Sequence, residues 1–143
     1  MDGDLIRQKL ESLRRCVQRV DEKCPADAAT LERDPDLQDI VTLNLSRAIQ
    51  LCVDVGAHLI ASTDAPAPTT MAQTFDWLAR SGVLTPELAG RLRRAVGFRN
   101  IVIHNYEAID WQVVHALARR HLTDFEDFAR AIGAHLQRTD RSI

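Results

Sequence analysis

Residues 36–62 read DLQDIVTLNLSRAIQLCVDVGAHLIAS, and this stretch decides how the chain folds. Its apolar residues, among them Ile40, Val41, Leu45, Ile49, Val53 and Leu59, occupy more than one side of a helix. A helix that is apolar nearly all round is touched by several neighbours at once, so it sits at the centre of a helical protein. The loop Asp64-Ala65-Pro66-Ala67-Pro68 ends it, because proline lacks the backbone donor and clashes with the preceding turn.

The flanking segments supply those neighbours. Upstream, over about residues 4–22, Ile6, Leu10, Leu13, Val17 and Val20 step by fours and threes along one face. Pro25 and the Asp/Ala-rich run after it break the pattern. Downstream, Thr70-Met71-Ala72-Gln73 has the form of a capping box. It opens a helix carrying Phe75, Trp77 and Leu78, which Gly82 stops. Thr85-Pro86-Glu87 then reads as cap, first-turn proline and first-turn acid, starting a helix that runs to about His104. A last helix follows Asp110 and extends to about Gln137. No stretch reads as a strand. Short loops between long amphipathic helices predict an all-α, up-and-down antiparallel bundle of about five helices, in a single domain over residues 1–143.

Composition narrows the class further. The chain is 45% apolar and 27% charged, ordinary for a globular protein with a real core. No run is expected to be apolar enough to span a bilayer, and the acidic start Met1-Asp2-Gly3-Asp4 is unlike a signal peptide, so a cytoplasmic protein is expected. Cys16, Cys24 and Cys52 form no C-x-x-C pair, which argues against a disulfide framework and a structural zinc site; Cys16 and Cys52 read as small buried hydrophobes. Neither a metal nor a cofactor is expected. The net charge of −2 is unlike that of a protein holding nucleic acid over a broad basic surface. A local concentration does exist: Arg91, Arg93, Arg94 and Arg99 fall within nine residues that hold no acid.

Chemistry concentrates where the fourth helix ends, in Arg99-Asn100-Ile101-Val102-Ile103-His104-Asn105-Tyr106. Histidine titrates near neutral pH and suits proton transfer. Arginine is permanently charged and can fork two hydrogen bonds to phosphate oxygens, where negative charge builds during cleavage of a phosphodiester. Five residues along a straight helix turn roughly 140°. Arg99 and His104 therefore do not share a face; an end to the helix from Asn105 onward, which would let His104 swing, or the length of arginine would reconcile them.

Arg99, His104 and Tyr106 form the pattern R-x4-H-x-Y, which resembles the motif of the HepT family within the HEPN superfamily of helical ribonucleases. The similarity spans nearly the whole chain. It takes in Leu43-Asn44-Leu45 and Cys52-Val53-Asp54 in the second helix, and residues 113–128 in the last. The resemblance implies a metal-independent RNA endonuclease acting on mRNA or tRNA, the toxin of a type VII-like MNT/HepT toxin–antitoxin system. His104 would be general base or acid, Arg99 the phosphate and transition-state stabiliser, and Asn100 an orienting residue. It further implies a homodimer that brings two motifs to one groove, and a partner antitoxin, a minimal MNT-type nucleotidyltransferase, that transfers AMP onto the Tyr106 hydroxyl. Bulky negative phosphate there would pair with arginine and exclude RNA.

Other residues weigh less. Asn44, Arg47, Gln50, Asp54 and His58 trace a polar line through the second helix, either a solvated face or a surface on which Asp54 and Asn44 help position Arg99 or RNA. His115 and His121 are six apart, not the spacing of a helical metal pair. Trp77 and Trp111 read as packing residues, and Arg119-Arg120 with Asp124, Glu126 and Asp127 as a salt-bridged face. The competing function is a non-catalytic helical module that holds a nucleotide or substrate for a partner nucleotidyltransferase. Such a module has no need of Arg99 and His104 together.

Overall fold

A computed structural model describes the protein from residue 3 to residue 141; Met1-Asp2 of the acidic start lie outside the described residues. Every regular element in that span is helical: α1 (Gly3–Lys23), α2 (Ala28–Arg33), α3 (Pro35–Ala61), α4 (Met71–Arg80), α5 (Pro86–His104), a 3-10 turn (Tyr106–Ala108), α6 (Trp111–Arg120) and α7 (Leu122–Arg141). The helical class expected from the sequence is observed, with seven α-helices among the described residues instead of about five.

Both extra helices come from divisions that apolar periodicity hides. α2 is only six residues long and buries one side chain, Leu31. Asp27 caps it by accepting from Thr30 N at 3.1 Å, and Gln38 of α3 donates to the Leu31 and Glu32 carbonyls at 2.9 and 3.0 Å. The last helix of the sequence reading is two, α6 and α7, divided at His121. Buried Val114, Ala118, Phe125, Phe128, Ile132 and Leu136 keep helical spacing across the break, so the stripe gives no sign of it. The division lets α6 pack on α2 while α7 packs on α1 and α5. Asp124, in the first turn of α7, takes Arg91 of α5 at 2.8 Å and lies 3.7 Å from His121.

The ends predicted from turn chemistry at Thr70, Gly82 and Thr85 hold, Thr85 accepting from Leu88 N ahead of Pro86. Asp34, not singled out in the sequence, caps α3 by accepting from Asp36 N and Leu37 N ahead of Pro35. Thr70 accepts from Gln73 N at 3.2 Å, while Gln73 reaches back to Thr69 N at 2.8 Å, one residue before the cap. Gly82 has φ +79°, and Gly82 N and Val83 N donate to the Ala79 and Leu78 carbonyls. That pair of bonds is a Schellman stop, open to glycine because it has no Cβ to clash at positive φ.

α3 is the central helix, packing on α1, α2, α4, α5, α6 and α7. It also corrects one expectation. A window within Pro35–Ala61 reaches a mean hydropathy of 1.2, the level of a membrane span by length and composition, with half of it buried inside the bundle. Gly56 lies at its close approach to α4: a Cβ there would collide with Thr74 Cγ2 and stand 3.1 Å from Leu78 Cδ1. Thr74 is buried and β-branched, so it yields poorly. Gly56→Ala is expected to cost about 1–2 kcal/mol, overpacking outweighing the better helix propensity of alanine. Urea denaturation checks this; a variant as stable as the parent would show that α4 shifts freely.

All three cysteines are free and buried. Burial raises their thiols, Cys52 well above the usual range.

Candidate active site at the end of the fifth helix

α5 changes character along its length. Its buried residues are Leu88, Ala89, Leu92, Ala95 and Val96; residues 97–104 include none. Ile101 and Ile103 are 45% and 49% exposed, although they are large and apolar. The R-x4-H-x-Y segment thus stands at the rim of the bundle.

Arg99 is half-buried and turns toward α4. Its Nη1 contacts Met71 Sδ at 3.6 Å, and its Nε is buried with no hydrogen-bond partner. Among the described residues no carboxylate pairs with it. A thioether is a weak acceptor, so a permanent cation with a buried N–H is left without an anion. Unsatisfied buried donors in native proteins call for an explanation, and a site awaiting a phosphate supplies one.

His104 is exposed and is the last residue of α5. The helix ends at Asn105, as the sequence leads one to expect, but without releasing His104: the Asn105 N–H still bonds the Ile101 carbonyl at 2.9 Å. His104 therefore keeps its helical position, roughly 140° around the axis from Arg99. Asn100 is exposed and stands four residues before His104, on the same face. The structure groups Asn100 with His104 and leaves Arg99 on another side.

Tyr106 opens the 3-10 turn. Its hydroxyl donates to Asp39 Oδ1 of α3 at 3.1 Å, and its ring meets Trp111 edge-on, centroids 6.0 Å apart. Burial raises the phenol above its usual range, with the Asp39 carboxylate adding to the effect and the Thr42 hydroxyl opposing it. The group is a neutral hydroxyl at physiological pH.

Asn44 and Asp54 lie elsewhere. Both line a groove between α1 and α3 with Ser12, Arg15 and Cys16, and no α5 residue reaches it. Asp54 accepts from Gln50 at 2.8 Å and stands 3.9 Å from Lys9, while Asn44 donates to the Ile40 carbonyl at 2.8 Å. Within one chain they do not position Arg99, because the face of α3 they occupy is turned to α1. The arginines of α5 likewise form no single patch. Arg91 pairs with Asp124 and Arg93 with Asp76 at 3.4 Å, on different sides of the helix. The salt-bridged face expected at Arg119-Arg120 is built by other residues, since Asp127 pairs with Arg130 and Asp124 with Arg91.

His115 is structural: its Nε2 bonds the Pro25 carbonyl at 2.9 Å, tying α6 to the loop after α1. Trp77 and Trp111 pack against the core. Among the described residues no group of three or more His, Cys, Asp or Glu side chains is placed to hold a metal ion. Sequence reading missed Met71, Asp39 and Thr42. They meet the motif only through tertiary folding, Asp39 from 67 positions away.

Residues 9–132 match the family described as Ribonuclease HepT-like, and the chain belongs to that family. It is 32% identical to the mRNA nuclease HepT of Shewanella oneidensis over 132 residues, 92% of this chain and 98% of the relative. It is 28% identical to the tRNA nuclease HepT of Aphanizomenon flos-aquae over 100 residues, 69% of this chain and 68% of that one. Among solved structures, it is similar to a tri-AMPylated Shewanella oneidensis HEPN toxin in complex with MNT antitoxin. There the TM-score is 0.86 and the identity 32%, covering 92% of this chain and 98% of that one.

Proposed function

We propose that this chain is the toxin of an MNT/HepT-type toxin–antitoxin pair, a metal-independent RNA endonuclease silenced by AMP on Tyr106. The observation that carries the reading is Arg99, a half-buried guanidinium with an unpartnered Nε and, among the described residues, no carboxylate paired with it. An RNA phosphate supplies the missing anion, and the arginine then holds the charge that grows on the phosphate oxygens in the transition state. His104 takes the proton from the ribose 2′-oxygen, which attacks the phosphorus, and returns a proton to the departing 5′-oxygen. The relatives named as mRNA and tRNA nucleases support RNA as substrate.

Because Arg99 and His104 diverge on one helix, the working unit is a homodimer whose two motifs share a groove. Exposed Ile101 and Ile103 beside the motif give a second copy apolar surface to cover. The AMPylated toxin–antitoxin structure supports Tyr106 as the switch and an MNT nucleotidyltransferase as the partner.

Expression of the chain alone is expected to arrest growth and fragment cellular RNA, and co-expression with an MNT nucleotidyltransferase to restore growth and add AMP at Tyr106. Tyr106→Phe removes the acceptor oxygen and should stay toxic beside that antitoxin. Intact RNA in arrested or growing cells would sink the nuclease reading. Rescue without AMP on Tyr106, seen by mass spectrometry, would sink the switch.

A further inference from the structure

Tyr106 is the one tyrosine in the chain, and its hydroxyl is held from across the fold. The Tyr106 oxygen donates to Asp39 Oδ1 at 3.1 Å. Asp39 is exposed and makes no ion pair among the described residues, so its carboxylate has no competing cation. Thr42, three residues along the same helix, donates its hydroxyl to the Gln38 carbonyl at 2.7 Å. The ring is steadied by the edge of Trp111, and its backbone by the bond from Ile109 N to the Tyr106 carbonyl at 3.2 Å. A carboxylate acceptor thus holds the hydroxyl of a tyrosine that is 42% exposed as a residue.

We propose that Asp39 is the general base that activates Tyr106 as a nucleophile, so that the toxin carries the activating group for its own modification. The inference rests on the reading of Tyr106 as the AMP acceptor. In the step, the Asp39 carboxylate takes the phenol proton while the phenol oxygen bonds to the α-phosphorus of ATP held by the antitoxin. The bond from that phosphorus to the bridging oxygen breaks, and pyrophosphate leaves. The proton on Asp39 then passes to water. Without a base, a neutral phenol attacks slowly, since only its small ionised fraction is a good nucleophile.

The nucleophilicity of Tyr106 can be read with and without the antitoxin. In one arm the wild type, Asp39→Asn and Asp39→Glu react with an aryl sulfonyl fluoride, and labelling of Tyr106 is followed by peptide mass spectrometry. In the other, the same proteins receive AMP from ATP and an MNT nucleotidyltransferase that modifies the wild type. Asp39→Asn is expected to slow labelling at neutral pH by roughly 10-fold to 100-fold, a fraction of the usual range for general acid–base catalysis. Asp39→Glu should recover part of the rate. The deficit should close as pH rises toward about 10, where a phenol ionises unaided. A residue that only shaped the fold would not give that pH profile, and melting curves show that each variant is folded. Wild-type labelling rates in Asp39→Asn, or a deficit that persists at alkaline pH, overturn the proposal. Equal AMP transfer to wild type and Asp39→Asn also overturns it, and leaves Tyr106 as the switch. If labelling depends on Asp39 but no tested nucleotidyltransferase adds AMP to the wild type, the switch reading falls and the activation of Tyr106 stands.

Discussion

Arg99→Ala is expected to lower the rate of RNA cleavage by roughly 10²–10³-fold, the usual loss when one transition-state donor is removed. His104→Ala is expected to lose roughly 10²–10⁴-fold, the span of general acid–base catalysis. The double variant should lose far less than the product of the two, because residues that act as a unit are not additive. Arg99→Lys should recover little, since a point charge does not reproduce the forked contact with two phosphate oxygens. Neither alanine variant should melt earlier than the wild type. Arg99 makes no ion pair among the described residues, and its Nε is already unsatisfied, so removing it takes away a cost; His104 is exposed. Cleavage of a defined RNA by purified dimer, beside thermal midpoints, decides the matter. Undiminished cleavage by both variants would move the active site elsewhere.

Phe128→Ala should unfold the protein without touching that site. Phe128 is fully buried and meets Phe75 edge-to-face, centroids 6.3 Å apart with the planes at 82°, joining α7 to α4. Truncation of a buried phenylalanine costs about 3–5 kcal/mol, and the aromatic pair adds about 0.5–1.5 kcal/mol. Domains of this kind hold only about 5–15 kcal/mol in total. The melting temperature should drop by something on the order of 10–20 °C. Phe75→Ala should behave similarly, and the double variant should cost less than the sum, because the second truncation enlarges a cavity that already exists. A loss below about 1 kcal/mol, measured by denaturant titration, would show that the core repacks around the gap.

The fold was legible where signals are local. α5 was readable from Thr85-Pro86 to His104 because a cap, a proline and an end all lie in adjacent residues. α3 declared itself central through an apolar pattern too wide for one neighbour. α2 was not legible, since six residues with one buried leucine give no period. The break at His121 was silent because the buried stripe runs through it in phase. The site divides in the same way. Arg99, His104 and Tyr106 are close in sequence and were found as a pattern. Asp39 and Met71 touch the motif from 67 and 28 residues away, and nothing near them in sequence marks that contact. For Asn44 and Asp54 a polar line told that they share α3, but not that they line a groove against α1, away from the α5 residues.

The final turns of α5 hold three successive β-branched residues, Ile101, Val102 and Ile103, and bury none of them. Such residues are weak helix formers, and core contact is what usually compensates. The working segment is therefore tied to the rest of the protein by the helix itself, by Arg99 on Met71 and by Tyr106 against Asp39 and Trp111, while the fully buried residues of α5 end at Val96. On the function proposed above, folding and catalysis draw on different residues. A chain disabled at Arg99 or His104 would then remain an intact body with its tyrosine still in place, and in a cell it would compete with the active form for whatever partner modifies that tyrosine.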